Sequence, residues 1–417
     1  MLLNSYIFYT MFRIQNIRFA ALLFLLILTA MSYYPAFSNT VTIEGGVNPL
    51  NRYIAIVAVL TFLLYFNYHS WFSNRVIKTF IFCAAVAIVV GFLLAQMNIS
   101  SLYEGSAREI IVAFIFLSVG YNSKMSKREL TIAIIIYSLS VAFVSYRQLM
   151  QHAGGFFIVN QYLAYGKNTL GVMCAASCVS LLTIFFSYQN KWFRMFLFAL
   201  YLFILILCIS IRARAAFLTI FLVTVTMFYK KTKRQKVTQN DVSWVILGVL
   251  VLLVFVMLFP QIFHLITDYI NDSFYKNREG DITSGRESGW IFGLGIIHDS
   301  PLFGNLLLQK RYDSLIIHNF LIRQLSSFGI IGSLPVLFLY LFLAVKVIKQ
   351  FLKSNVSDIN VGFFVFVILL IISLEEPTFP FAPGTGVILP FVLLGYSCYM
   401  QDSCKSTYTR VIAGANL

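Results

Sequence analysis

Apolar residues in this chain come in long blocks parted by short polar joints, with no sustained alternation along one face. The blocks lie near 17–37, 53–71, 76–96, 108–122, 129–147, 168–188, 192–211, 213–229, 242–263, 317–346, 359–374 and 384–401. Most reach the ~17–25 residues that an α-helix needs to cross ~30 Å of hydrocarbon. The pattern therefore predicts an all-α integral membrane protein with about twelve transmembrane helices, the fourth short and the tenth polar at its start. One long polar stretch, 260–316, separates the ninth block from the tenth. The chain accordingly divides into 1–259 with spans one to nine, the loop 260–316, and 317–417 with the last three spans and a tail. No internal repeat or second domain is evident. The first block, from Phe19 to about Phe37, is long and lacks an Ala-x-Ala site, so it is expected to remain as a span and not to be cleaved as a signal peptide.

Composition agrees with this pattern. Of 417 residues 59% are hydrophobic and only 11% charged, far from the soluble balance of roughly half apolar and a quarter charged. The net charge of +15 raises the question of nucleic acid, but the basic residues sit in short clusters between apolar blocks and not on one polar face. Nucleic-acid binding is excluded on that ground. Cys83, Cys174, Cys178, Cys208 and Cys398 fall in or at the ends of apolar blocks, and Cys404 lies in the tail, so no disulfide framework is expected. Cys174 and Cys178 share a helix face, but without a nearby His or carboxylate they read as small core residues and not as a metal site.

Orientation follows from Lys and Arg, which concentrate in cytoplasmic loops. With the N-terminus inside, the inward segments hold Arg13 and Arg18, Arg75 and Lys78, Lys124, Lys127 and Arg128, Lys191 and Arg194, and the run Lys230 to Lys236. They continue with Lys346, Lys349 and Lys353, and with Lys405 and Arg410. The alternate loops carry Glu44, Glu104 and the pair Glu375/Glu376. Both termini are then inside, and 260–316 lies outside.

The outward cations are the candidates for chemistry, because the inward bias disfavours them: Arg147, Lys167, Arg212, Arg214, Lys276, Arg278, Arg286, Lys310, Arg311 and Arg323. Each one alone also reads as a residue snorkelling to the headgroups. Arg212 and Arg214, in a very short turn between two apolar helices, must point somewhere polar. A guanidinium fork suits phosphate oxygens, so an outward site for an anionic, phosphate-bearing ligand is expected. His69, His152, His264 and His298 have no compelling partners in the sequence. His318 differs, opening the tenth block in the string His318-Asn319, nine residues, Gly329, two residues, Gly332. An imidazole titrates near neutral pH and is the natural group to take a proton from a sugar hydroxyl, although an interfacial histidine satisfied by headgroups fits the same position. Gly329 and Gly332 read as a site of close helix packing. No phosphate loop, nucleophile elbow, His-Glu-x-x-His or Asp-x-Asp pair occurs. The loop acids Asp268, Asp272, Glu279, Asp281, Glu287, Asp299 and Asp313 are spaced like a solvated loop.

Three stretches resemble the O-antigen ligase and polymerase superfamily of bacterial inner-membrane enzymes. They are Ser210-Ile-Arg-Ala-Arg214-Ala-Ala-Phe-Leu, then Ser284-Gly-Arg286-Glu-Ser-Gly-Trp290 with Ser300-Pro-Leu-Phe-Gly304, and His318-Asn319 through Gly332. The resemblance covers the middle third of the chain. It implies a GT-C-like architecture whose long periplasmic loop carries short helices. It also implies a metal-independent inverting glycosyltransferase, needing no cofactor, that moves a glycan from undecaprenyl diphosphate to an acceptor hydroxyl on the periplasmic face. By position it implies that Arg214 and Arg286 bind the lipid diphosphate and that His318 activates the acceptor or orients the donor. Arg212, Arg311 and Asn319 would contact substrate. Lys167 and Asn168, in Tyr165-Gly-Lys-Asn-Thr-Leu-Gly171, resemble a polymerase feature; the same string reads as a helix start capped by Asn.

Polymerase and ligase readings differ in the acceptor, another lipid-linked repeat unit or lipid A-core. The short spacer from Asn305 to Ile317 favours a polymerase, while the His-Asn-x9-Gly-x2-Gly string is associated with ligases. A chain-length regulator and a flippase are the partners such a polymerase implies. A third reading, a lipid-linked oligosaccharide transporter, fits the span number, but transporters place ionisable groups near the bilayer midplane, and here they fall at span ends.

Overall fold

The computed structural model describes residues 2–34, 49–71, 74–96, 104–152, 167–211, 213–234, 286–305, 317–377, 379–381 and 385–415. Among the described residues every regular element is helical. We label the helices α1 (Leu2–Met31), α2 (Pro49–Leu64), α3 (Arg75–Gln96), α4 (Glu104–Ser123), α5 (Lys127–His152) and α6 (Lys167–Ser187). They continue as α7 (Lys191–Ser210), α8 (Arg214–Arg234), α9 (Arg286–Asp299), α10 (Phe320–Lys353), α11 (Val361–Ile372) and α12 (Ile388–Ala415). Seven helices, α1, α3, α5, α6, α7, α8 and α10, are long and apolar enough to cross a membrane. The shorter apolar helices α2, α4 and α11 pack among them. The ninth expected span, 242–263, and most of the expected loop lie outside the described residues.

α6 is the central helix, with 94% of its apolar window buried. Its small residues let neighbours approach, as small side chains do between helices in lipid. Two of its hydroxyls turn back onto the helix, Ser180 donating to the Ala176 carbonyl at 2.6 Å and Thr183 to that of Val179 at 2.7 Å, while the Ser177 hydroxyl is buried without a partner. Around it stand α5, α7, α8 and α11. The outer face of α10 carries Leu334, Phe338, Leu341, Val345, Ile348 and Leu352, all exposed, at alternating spacings of four and three. That is the stripe a helix turns toward hydrocarbon.

One end of the bundle is basic and tied by lysines. Lys127 donates to the Ser187 carbonyl at 2.8 Å and lies 3.9 Å from Asp358. Buried Lys230 donates to the carbonyls of Phe351 and Ser354, closing the last turn of α10, where carbonyls have no helical partner.

Several boundaries differ from those expected: α1 begins at Leu2 and not near 17, α10 runs to Lys353 and not 346, and α12 runs to Ala415 and not 401. The second helix stops at Leu64 and not near 71, because Asn67 accepts the backbone N–H of His69 and starts a separate turn, Tyr68–Trp71. The tenth helix begins at Phe320, since Asn319 is its N-cap, so His318 precedes the helix and does not open it. That helix is also not continuous: Gly329 breaks it with φ of 62°.

Candidate functional site

The break at Gly329 is where loop and helix meet. Gly304 and Gly329 both have positive φ, 65° and 62°, which L side chains disfavour by roughly 1–2 kcal/mol. A Cβ on Gly304 would lie 2.5 Å from the Gly329 nitrogen, and one on Gly329 would lie 2.3 Å from the Leu302 carbonyl. Three backbone hydrogen bonds seal the contact: Asn305 to Ser326 at 2.8 Å, Ile330 to Pro301 at 2.9 Å and Ile331 to Leu302 at 3.1 Å. The donors and acceptors freed by the helix break are thus used by the Pro301–Gly304 turn. Gly329 was expected to serve helix packing; it packs instead against this turn, because its conformation leaves the helix.

The same seam positions α9. Gly293 of α9 lies against Ile317 and Ile322, a Cβ there coming within 2.6 Å of Ile322. Trp290, one turn earlier, donates its indole N–H to the His318 carbonyl at 3.0 Å. Arg286, first residue of α9, is therefore held beside His318.

Both face a pair of carboxylates that follows α11. Arg286 donates to Glu375 at 2.9 Å and to Glu376 at 3.3 Å. Asn168, second residue of α6, donates its Nδ2 to Glu376 Oε1 at 2.8 Å. Its amide is a donor to a side chain here and not the helix cap that the sequence also allowed. The remaining oxygen, Oε2, lies 3.9 Å from His318 Nδ1. Glu376 is buried, whereas Glu375 is more than one-third exposed. Four elements thus meet at one carboxylate.

Neighbouring contacts fix the frame. Asn319 accepts from the Ile322 N–H and donates to the Leu374 carbonyl, so both ends of its amide hold backbone. The Phe320 N–H donates to the Ser373 carbonyl at 3.0 Å. Arg323 donates to the Pro377 carbonyl at 2.9 Å and lies 3.9 Å from Glu109 of α4, which also accepts from Gln324 at 3.4 Å. Arg323 is thus tied to the bundle and does not simply snorkel.

Of the sequence candidates, Arg286, His318, Asn319 and Asn168 come together. Arg214 opens α8, and its neighbour Ala213 meets Gly171 of α6, one turn from Asn168. Lys167 opens α6. Arg212 and Arg311 lie outside the described residues. His298 pairs with Asp299 at 3.1 Å, both exposed.

The sequence reading missed Glu376 as the hub, Glu375 beside it, and Trp290 as the link to His318. The signal was present. An adjacent acidic pair at the end of a wholly apolar helix, in a chain with only 16 acidic residues, faces the expected outward cations.

Chemically, the site offers a guanidinium whose exposed partner can yield to another anion, an imidazole with a buried, unpaired Nδ1, and a carboxylate fixed by an amide. Among the described residues every regular element is helical, and the seven long apolar helices found there are compatible with a multi-pass membrane protein. The sequence matches no family model, and no curated protein matches it.

Proposed function

We propose that this chain polymerises glycan repeat units carried on undecaprenyl diphosphate, acting at the periplasmic face of a bacterial inner membrane with both termini in the cytoplasm. The observation that carries the reading is the meeting of Arg286 and His318, from separate segments, around Glu376 at the bundle end opposite the lysine-tied one.

The donor diphosphate takes Arg286 in place of exposed Glu375, while Glu376 stays on Asn168. Arg214 supplies a second cation from α8. The acceptor hydroxyl attacks the anomeric carbon on the face opposite the diphosphate, the bond between that carbon and the bridging phosphate oxygen breaks, and undecaprenyl diphosphate leaves with the electron pair and that oxygen. His318 takes the hydroxyl proton. Back-side attack inverts the anomeric configuration. Diphosphate is already a good leaving group, so cations that stabilise its developing charge and one base form a sufficient set, and the reaction draws on no cofactor. The twelve-span arrangement, with 242–263 as the ninth span and 260–316 outside, belongs to this proposal.

The test is reaction of purified protein with undecaprenyl-diphosphate-linked repeat units alone. A ladder of longer lipid-linked glycans that His318→Ala abolishes is the expected result. Transfer only after lipid A-core is added would make the chain a ligase, and silence in both would overturn a glycosyltransferase.

A further inference from the structure

The two oxygens of Glu376 are used differently. Oε1 takes both the Asn168 amide and the Arg286 guanidinium, at 2.8 and 3.3 Å. Oε2 lies 3.9 Å from His318 Nδ1. That nitrogen is buried without a hydrogen-bond partner, a condition that native structures rarely leave in place. The carboxylate cannot easily move away, because it is held by α6 and α9 and is only 6% exposed. Nor can the His318 backbone, whose carbonyl is taken by Trp290 and whose successors are bonded to Ser373 and Leu374. What remains free is rotation of the imidazole, and a shift of about 1 Å brings Nδ1 to ordinary hydrogen-bond distance.

From this geometry we infer that Glu376 is a positioning residue for His318. It accepts a hydrogen bond from Nδ1–H and thereby leaves Nε2 as the nitrogen with the lone pair. The hydrogen bond at one ring nitrogen sets the tautomer at the other. When Nε2 takes the hydroxyl proton, the charge appears on an imidazolium that already faces a carboxylate, and the proton stays on the ring. Among the described residues, the charged groups bonded to this pair or to its neighbours include Arg286, Glu375, Arg323 and Glu109, and Arg214 opens α8 nearby. Arg286 remains on Oε1 and so does not compete for Oε2. This inference rests on the reading of His318 as the base, but the pairing itself is measurable without turnover.

The experiment is nitrogen NMR of histidine-labelled full-length protein in lipid nanodiscs at pH 8.5, with the His318 signals assigned by difference from His318→Ala. In the wild type the expected form carries its proton on Nδ1. In Glu376→Ala the expected form is the one with the proton on Nε2, and in the glycan assay kcat falls about 100-fold. A wild-type His318 protonated on Nε2 overturns the pairing before Glu376 is altered at all. So does a tautomer that Glu376→Ala leaves unmoved. The expected tautomers in a protein that forms no glycan ladder would uphold the pairing and overturn the glycan reading.

Discussion

Trp290 and His318 are joined by a single hydrogen bond, indole N–H to backbone carbonyl at 3.0 Å, and through it α9 sets the position of a residue that lies outside any helix. The bond links the short helix that begins at Arg286 to the start of α10.

Trp290→Phe keeps most of the ring and removes that donor. The stability cost is about 1 kcal/mol, as for one neutral hydrogen bond. Small displacements of reacting groups cost far more in rate, so repeat-unit addition is expected to slow roughly 10–100-fold. Comparing thermal midpoints in detergent with initial rates separates the two effects; equal losses in both would assign Trp290 to folding alone.

Glu375→Gln removes the exposed partner of Arg286 and keeps Glu376 in place. Both side chains are partly exposed, so the pair contributes only about 1 kcal/mol to stability. The KM for the lipid-linked donor should fall several-fold, because the diphosphate no longer displaces an anion. A raised KM would mean that Glu375 helps to bind substrate.

Lys230→Met leaves the carbonyls of Phe351 and Ser354 without their donor while keeping the bulk of the chain. Charged hydrogen bonds contribute about 1.5–3 kcal/mol, and a loss of that order in thermal or urea unfolding is expected, with site chemistry intact.

Cys404 is exposed while Cys83, Cys174, Cys178, Cys208 and Cys398 are buried, so the native chain carries its own topology reporter. A membrane-impermeant maleimide should leave the protein unlabelled in intact spheroplasts and modify one thiol after permeabilisation. Labelling without permeabilisation would invert the proposed orientation.

Much of the helix order was legible because burial in lipid demands unbroken apolar blocks, and α3, α5, α6 and α7 lie close to the blocks that predict them. The break in α10 was not. The run from Leu321 to Leu343 is apolar but holds Gly329, Gly332 and Pro335, any of which could weaken a helix, and it is the packing of Leu302 and Phe303 against Gly329 that places the break there. At the site, Arg286 and His318 stood out as polar groups at apolar edges. Glu376 did not, since a carboxylate in a short loop looks solvated until three other segments close over it. Its role depends on contacts with Asn168, Arg286 and His318, which lie far away in sequence.

Gly304 and Gly329 each occupy space that a methyl group on the other's segment would need, and each holds a backbone angle the other's contact relies on. Ala at either position opens the seam and is expected to cost at least ~2 kcal/mol, and a second Ala cannot restore what the first removed. Among natural variants, positions 304 and 329 should therefore change together, with the turn and the helix break lost or kept as one inherited unit.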